Sequence, residues 1–259
     1  MMLENYYITG LDIDLSQYNL GVIHQPSIRE LLENSMTNLD FINPIYIIEK
    51  TYLDMHQNVD EELLTRFDLM YSIDYLIKDN GIFNKFKKIL CTIYRVESEE
   101  ILFIEASDVT KTSIFIKSRD VVLNCNNYEK LADIIFEMFY VDKKDFLKED
   151  EDEVWVEKTG SKKEREMIEY FKNKRRKKQQ KDSMSLADYI NVVCHIKNFT
   201  PYKEVVNLTF YQLMNSYKSL VHFDRYKEEL GYRWSFKFNF KDSQQHWSEY
   251  IKISKSEVE

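Results

Sequence analysis

An α+β fold, with an N-terminal α+β part carrying short hairpins followed by a mainly helical C-terminal part, is predicted by three observations. Short alternating apolar runs occur in pairs twice before residue 141, each pair followed by a stretch of helical period. An acidic run, DFLKEDEDEVWVE at 145–157, then breaks all periodicity. Behind it, residues 185–230 place apolar side chains at helical spacing almost without interruption. These observations divide the chain into an α+β domain at 1–141, an acidic linker or loop at 142–160, and a mainly helical domain at 161–259 that opens with a basic helix.

Residues 6–13 and 18–24, rich in Tyr and Ile, read as an antiparallel hairpin. Pro26 suits a first helical position, and Ile28, Leu31 and Leu32 give the helix that follows, to about Met36, its apolar face. Residues 39–52 read as a helix entering at Pro44. From Asp60, Leu63, Leu64, Phe67, Met70 and Ile73 recur at helical spacing until Asn80-Gly81 stops the run. Residues 83–94 read as an amphipathic helix or a helix-to-strand passage. Residues 101–105 and 113–116 form a second hairpin, extended by 121–123, before a helix from Tyr128 capped by Asn126 or Asn127.

In the C-terminal part, Ser161 with Glu164, and Ser185 with Asp188, have capping-box spacing. Thr200-Pro201 restarts the chain, and a long helix then runs to Gly231 with Leu208, Tyr211, Leu213, Met214, Tyr217, Leu220 and Val221 on its buried side. Trp234, Phe236, Phe238 and Phe240 alternate as a strand, an aromatic arm or a short loop before a final helix at 243–251.

Composition narrows the function. The chain has 259 residues, is 44% hydrophobic and 31% charged, and carries a net charge of −8, which disfavours a protein that coats nucleic acid with its whole surface. With 5 Gly there is no glycine-rich phosphate loop. Cys91, Cys125 and Cys194 lack zinc or disulfide spacing and read as reduced thiols. No apolar run is long enough to span a bilayer and the N-terminus does not read as a signal peptide, so the expected location is the cytoplasm. His24, His56, His195, His222 and His246 stand without ligand spacing, and pairs such as Asp12/Asp14 read as solvated strand ends. No catalytic constellation, metal site or cofactor motif emerges, and the expectation is a protein that is not an enzyme.

Two features remain as partner-binding candidates. The basic run KNKRRKKQQK, with Lys172, Lys174, Arg175, Arg176, Lys177 and Lys178, is an electrostatic patch. It reads either as a nucleic-acid footprint or as a solvated helix end beside the acidic linker. The apolar faces of the C-terminal part, with Leu208, Tyr211, Met214, Tyr217, Trp234, Phe236 and Phe238, are candidates for protein contacts.

The basic helix, then SLADYINVVCHI at 185–196, NLTFYQLMNSYKSL at 207–220 and an ending near HWSEYIKI, resembles the last portion of tail-assembly chaperone-type proteins of phages of Gram-positive bacteria. The resemblance lies mainly in 161–251. It implies a non-enzymatic protein of the host cytoplasm that uses no nucleotide, binds the phage tape-measure protein and promotes assembly of tail-tube subunits around it. Homo-oligomerisation stays open. The alternatives are a structural virion component of tail, neck or baseplate, and a nucleic-acid-binding regulator acting through the basic helix.

Overall fold

The computed structural model describes residues 3–56, 66, 81–104, 113–143, 184–196, 200–234 and 246–248. The basic helix with its Ser161 cap, the acidic run at 145–157 and the aromatic segment past Trp234 lie outside the described residues. So do the run at 60–80, Arg66 excepted, and the helix at 243–251, residues 246–248 excepted. The fold is α+β: two small antiparallel sheets with helices, followed by a helical C-terminal region.

The chain opens as a helix, α1 (Leu3–Thr9), and not as the strand expected over 6–13. Tyr7 decides this: it is buried, its ring stacks 5.2 Å from Tyr211, and its hydroxyl donates to Glu137 Oε2 at 2.7 Å. Gly10, at φ 70, closes the helix by donating to the Tyr6 carbonyl, a left-handed conformation that costs glycine little. The first hairpin shrinks accordingly to β1 (Ile13–Asp14) and β2 (Val22–Ile23), paired Ile13 to Ile23 and Asp14 to Val22.

α2 (Ile28–Glu33) starts from Ser27 and not from Pro26. Ser27 and Glu30 form a reciprocal capping box: the Ser27 hydroxyl accepts from the Glu30 N–H at 3.2 Å, and the Glu30 carboxylate accepts from the Ser27 N–H at 2.7 Å. Burial alone would raise the Glu30 carboxyl, but the Ser27 N–H, His24 and the Ser27 hydroxyl outweigh it and hold the group down at about 2. α3 (Asn38–His56) begins six residues before Pro44, because Thr37 donates both its N–H and its hydroxyl to Asp40. Pro44 is buried inside this helix, where its missing N–H leaves the Asp40 carbonyl without an intrahelical donor.

α4 (Ile82–Tyr94) buries Ile82, Phe86, Ile89, Leu90, Ile93 and Tyr94 at helical spacing. β3 (Ile101–Ile104), β4 (Ser113–Ile116) and β5 (Val121–Leu123) then form an antiparallel sheet in that order. The row Ile101, Ile116, Val121 faces the core, and the row Leu102, Phe115, Val122 faces outward. α5 (Cys125–Met138) is capped by Asn124, three residues ahead of the expected start, with Asn127 returning the bond. Its inner face, Tyr128, Leu131, Ile134, Ile135 and Met138, joins the main core beside α3, with Phe86 of α4 5.8 Å from Tyr128.

The C-terminal region comprises α6 (Leu186–Ile196), α7 (Tyr202–Val205) and α8 (Phe210–Trp234). The Ser185–Asp188 cap forms as spaced, with both the Ser185 N–H and hydroxyl donating to Asp188. α8 begins behind a Thr209–Gln212 box. Gly231 keeps a right-handed backbone inside α8, and Arg233 bridges across it to Glu229 at 2.7 Å, so the helix does not stop there. Trp234 is accordingly a helical residue and not the first of a strand.

Candidate functional site

α8 is anchored in the core at its first turns and more exposed toward its end, and its sequence explains both. Phe210 and Tyr211 enter the main core, where Phe139 lies 5.7 Å from Phe210 and Tyr140 lies 5.0 Å from Tyr211. Leu213 closes a second cluster with Ile28, Val193, Cys194 and Val205. The segment before α8 is docked through its backbone. The Leu208 and Val206 carbonyls accept from the Ile28 and Arg29 N–H groups, two donors that the first turn of α2 leaves without an intrahelical partner. Gln212 adds a bond from its amide to the Ile8 carbonyl at 2.8 Å. Residues on both sides of the acidic run therefore contribute to one core.

Further along, the support ends before the apolar pattern does. Phe210, Met214, Tyr217 and Val221 follow one another at spacings of four, three and four along a single face. Phe210 is buried, Met214 and Tyr217 are half-buried, and Val221 is 44% exposed. Eleven residues on, about 20° round the helix from Val221, Tyr232 is exposed as well. Phe223 and Trp234 are related in the same way on the opposite side, about 200° from Val221, and Trp234 is 75% exposed. The last fourteen residues of α8, a length of about 20 Å, thus carry apolar side chains on two faces.

Beside Phe223 lies a groove of about 520 Å³ lined by Ile8, Leu208, Asn215, Ser219, Leu220 and Trp247, among others. Trp247 packs edge-on to Phe223 at 5.4 Å. Asn215 brings a buried carbonyl oxygen to this groove that has no hydrogen-bond partner among the described residues. Burial first, then the neighbouring Tyr140, Glu4 and Glu137, push the Tyr211 phenol well above its usual range, so it stays neutral.

The expected partner-binding residues therefore separate. Tyr211 is consumed inside the core, and this is a correction: a side chain 4% exposed offers no free contact surface. Leu208 lines the groove, Met214 lies against the main core, and Tyr217 meets Tyr189 edge-on at 4.8 Å. Val221, expected on the buried side, is exposed because the body ends beneath it. Trp234 is exposed at the helix end, while Phe236 and Phe238 lie outside the described residues. The patch of Lys172, Lys174, Arg175, Arg176, Lys177 and Lys178 also lies outside them. Ile8, Asn215, Ser219, Phe223 and Trp247 were not singled out by sequence; for Phe223 the signal was its place three residues after Leu220, which lines the same groove.

A second cluster joins residues that sequence left apart. His24 Nδ1 lies 2.8 Å from Asp12 Oδ1, and its Nε2 lies 3.1 Å from both Glu30 oxygens and 2.9 Å from an Arg95 guanidinium nitrogen. Among the described residues no group of three or more His, Cys, Asp or Glu is placed to hold a metal ion, and no helix is long and apolar enough to cross a membrane. The three cysteines are free thiols.

Residues 176–252, less than a third of the chain but spanning α6 to α8, match the family model of the YomV second domain. No curated protein and no solved structure matches the chain. The YomV family is phage-derived, and the region of this chain that resembles it is the one that carries α8.

Proposed function

We propose that this chain is a non-enzymatic phage tail-assembly chaperone, holding apolar helices of a tape-measure protein until tail-tube subunits replace it. The observation that carries this reading is the overhang of α8. Its inner half is anchored in the core, and its outer half presents Val221, Phe223, Tyr232 and Trp234 within the phage-related region. A rigid helix with apolar side chains on two faces suits an amphipathic helical client, because both bury their stripes on docking without either having to order first.

Co-expression with the tape-measure protein of the same phage tests this. A soluble complex of the two chains is expected, with the tape measure aggregating when expressed alone. A tape measure equally soluble by itself, and not co-purifying, would overturn the reading.

A structural virion component is the second reading, favoured by a separate apolar surface. Leu102, Ile104 and Val122 on the outer face of the three-stranded sheet are each 40% exposed or more. A subunit with permanent neighbours on two sides would use both surfaces. Mass spectrometry of purified virions separates the two, since a chaperone is absent from the finished particle.

A further inference from the structure

We propose that His24 is a protonation-controlled clasp whose Nε2 exchanges Arg95 for Glu30 when the ring takes up a proton. The ring is nearly enclosed, with 12% of its side chain exposed, and sits where three elements meet. Asp12 faces it from the loop before β1, Glu30 from the first turn of α2, and Arg95 from the C-terminal end of α4. The His24 backbone N–H is fixed as well, donating to the Ile93 carbonyl at 2.6 Å. This fixes the main chain from which the ring projects.

The chemistry follows from what each group can donate. A carboxylate and a guanidinium cannot both be satisfied by one nitrogen in one protonation state. In the neutral ring, Nδ1–H donates to Asp12 and the lone pair on Nε2 accepts from Arg95, which lies 2.9 Å away and also reaches Glu30 at 3.5 Å. In the imidazolium, Nδ1–H still donates to Asp12, but Nε2–H donates to Glu30 and the positive ring repels Arg95. The proton comes from water and returns to it.

The exchange has a consequence beyond the ring. Arg95, Glu30, Lys88, Glu97 and Glu100 line a cavity of about 400 Å³, so releasing Arg95 from His24 changes which charge that cavity presents. Glu30 is held in its ionised form by the Ser27 box and by His24, which keeps it ready to accept from the ring.

Two-bond 1H–15N spectra of 15N-labelled protein over pH 5–8 report which ring nitrogen carries the proton, and 13C spectra follow the Arg95 Cζ. The neutral form should be the Nδ1–H tautomer, and the Arg95 resonance should move at the His24 midpoint. Arg95→Gln, which leaves His24, Asp12 and Glu30 in place, should raise that midpoint, because the neutral ring loses its donor and the charged ring loses a repelling neighbour. An Nε2–H neutral tautomer, an Arg95 resonance indifferent to the His24 midpoint, or a midpoint that Arg95→Gln leaves unmoved would each overturn the clasp.

Discussion

Replacing Arg66 with alanine should destabilise the protein by about 3–5 kcal/mol, the range for removing one partner of a buried ion pair. The carboxylate left behind is Glu49, on the inner face of α3 and 2% exposed. Arg66 Nε donates to its Oε1 at 2.9 Å, and the same guanidinium lies 4.1 Å above the Tyr52 ring and 3.9 Å from Glu129. Lys143, just past α5, is 3.7 Å from the other Glu49 oxygen but closer to Asp133, at 2.8 Å. Without Arg66, the longer contact to Lys143 is what Glu49 keeps among the described residues.

Urea denaturation measures the loss, and a second variant identifies its source. Arg66→Met combined with Glu49→Leu removes both charges while Lys143 retains Asp133, so it should be less destabilised than Arg66→Ala alone. If the double variant instead shows the sum of the two single losses, desolvation of Glu49 is not what makes Arg66 necessary.

Leu213→Ala should cost about 2–5 kcal/mol, as deletion of a fully enclosed leucine does. Leu213 has no exposed surface and packs with Ile28 of α2, Val193 and Cys194 of α6, and Val205 of α7. The cavity therefore opens where the helical region meets the α+β body. Hydrogen exchange should show lost protection concentrated in α6 and the first turns of α8. Val221→Ala, on the same helix but past the body, should stay within about 0.5 kcal/mol of the parent, as surface substitutions do. Equal losses from the two substitutions would mean that α8 is covered along its whole length.

Much of this architecture was legible in the sequence. The alternation at 101–105 and 113–116, with 121–123 as its extension, pointed to the hairpin that becomes β3 to β5, and of the two readings of 83–94 the helical one is α4. Helix starts were less legible because apolar periodicity locates a stripe and not its first residue. Ser27/Glu30, Thr37/Asp40, Asn124/Asn127 and Thr209/Gln212 all have the three-residue spacing that was recognised only at Ser161 and Ser185.

The seven residues of α1 defeated the period-two reading because Leu3, Tyr6 and Tyr7 pack on the core at helical spacing, with Tyr7 held by Tyr211 some two hundred residues away. The ion network had no local signature either, since Glu49, Arg66 and Lys143 meet only through tertiary packing. The partner surface was half legible. The stripe on α8 was visible in the sequence, but where the body stops covering it depends on where α2 and α6 end in space.

The overhang of α8 is the centre of the functional account, and one measurement tests it most directly. Val221→Gln with Tyr232→Gln changes the exposed continuation of the core-facing stripe, keeps good helix formers in place and leaves Tyr211 and Leu213 alone. Co-purification of this variant with the tape-measure protein, set beside its thermal melt, should give an unchanged melt and at least about tenfold less complex. An unchanged melt with full recovery of the complex would place the client elsewhere and contradict the account.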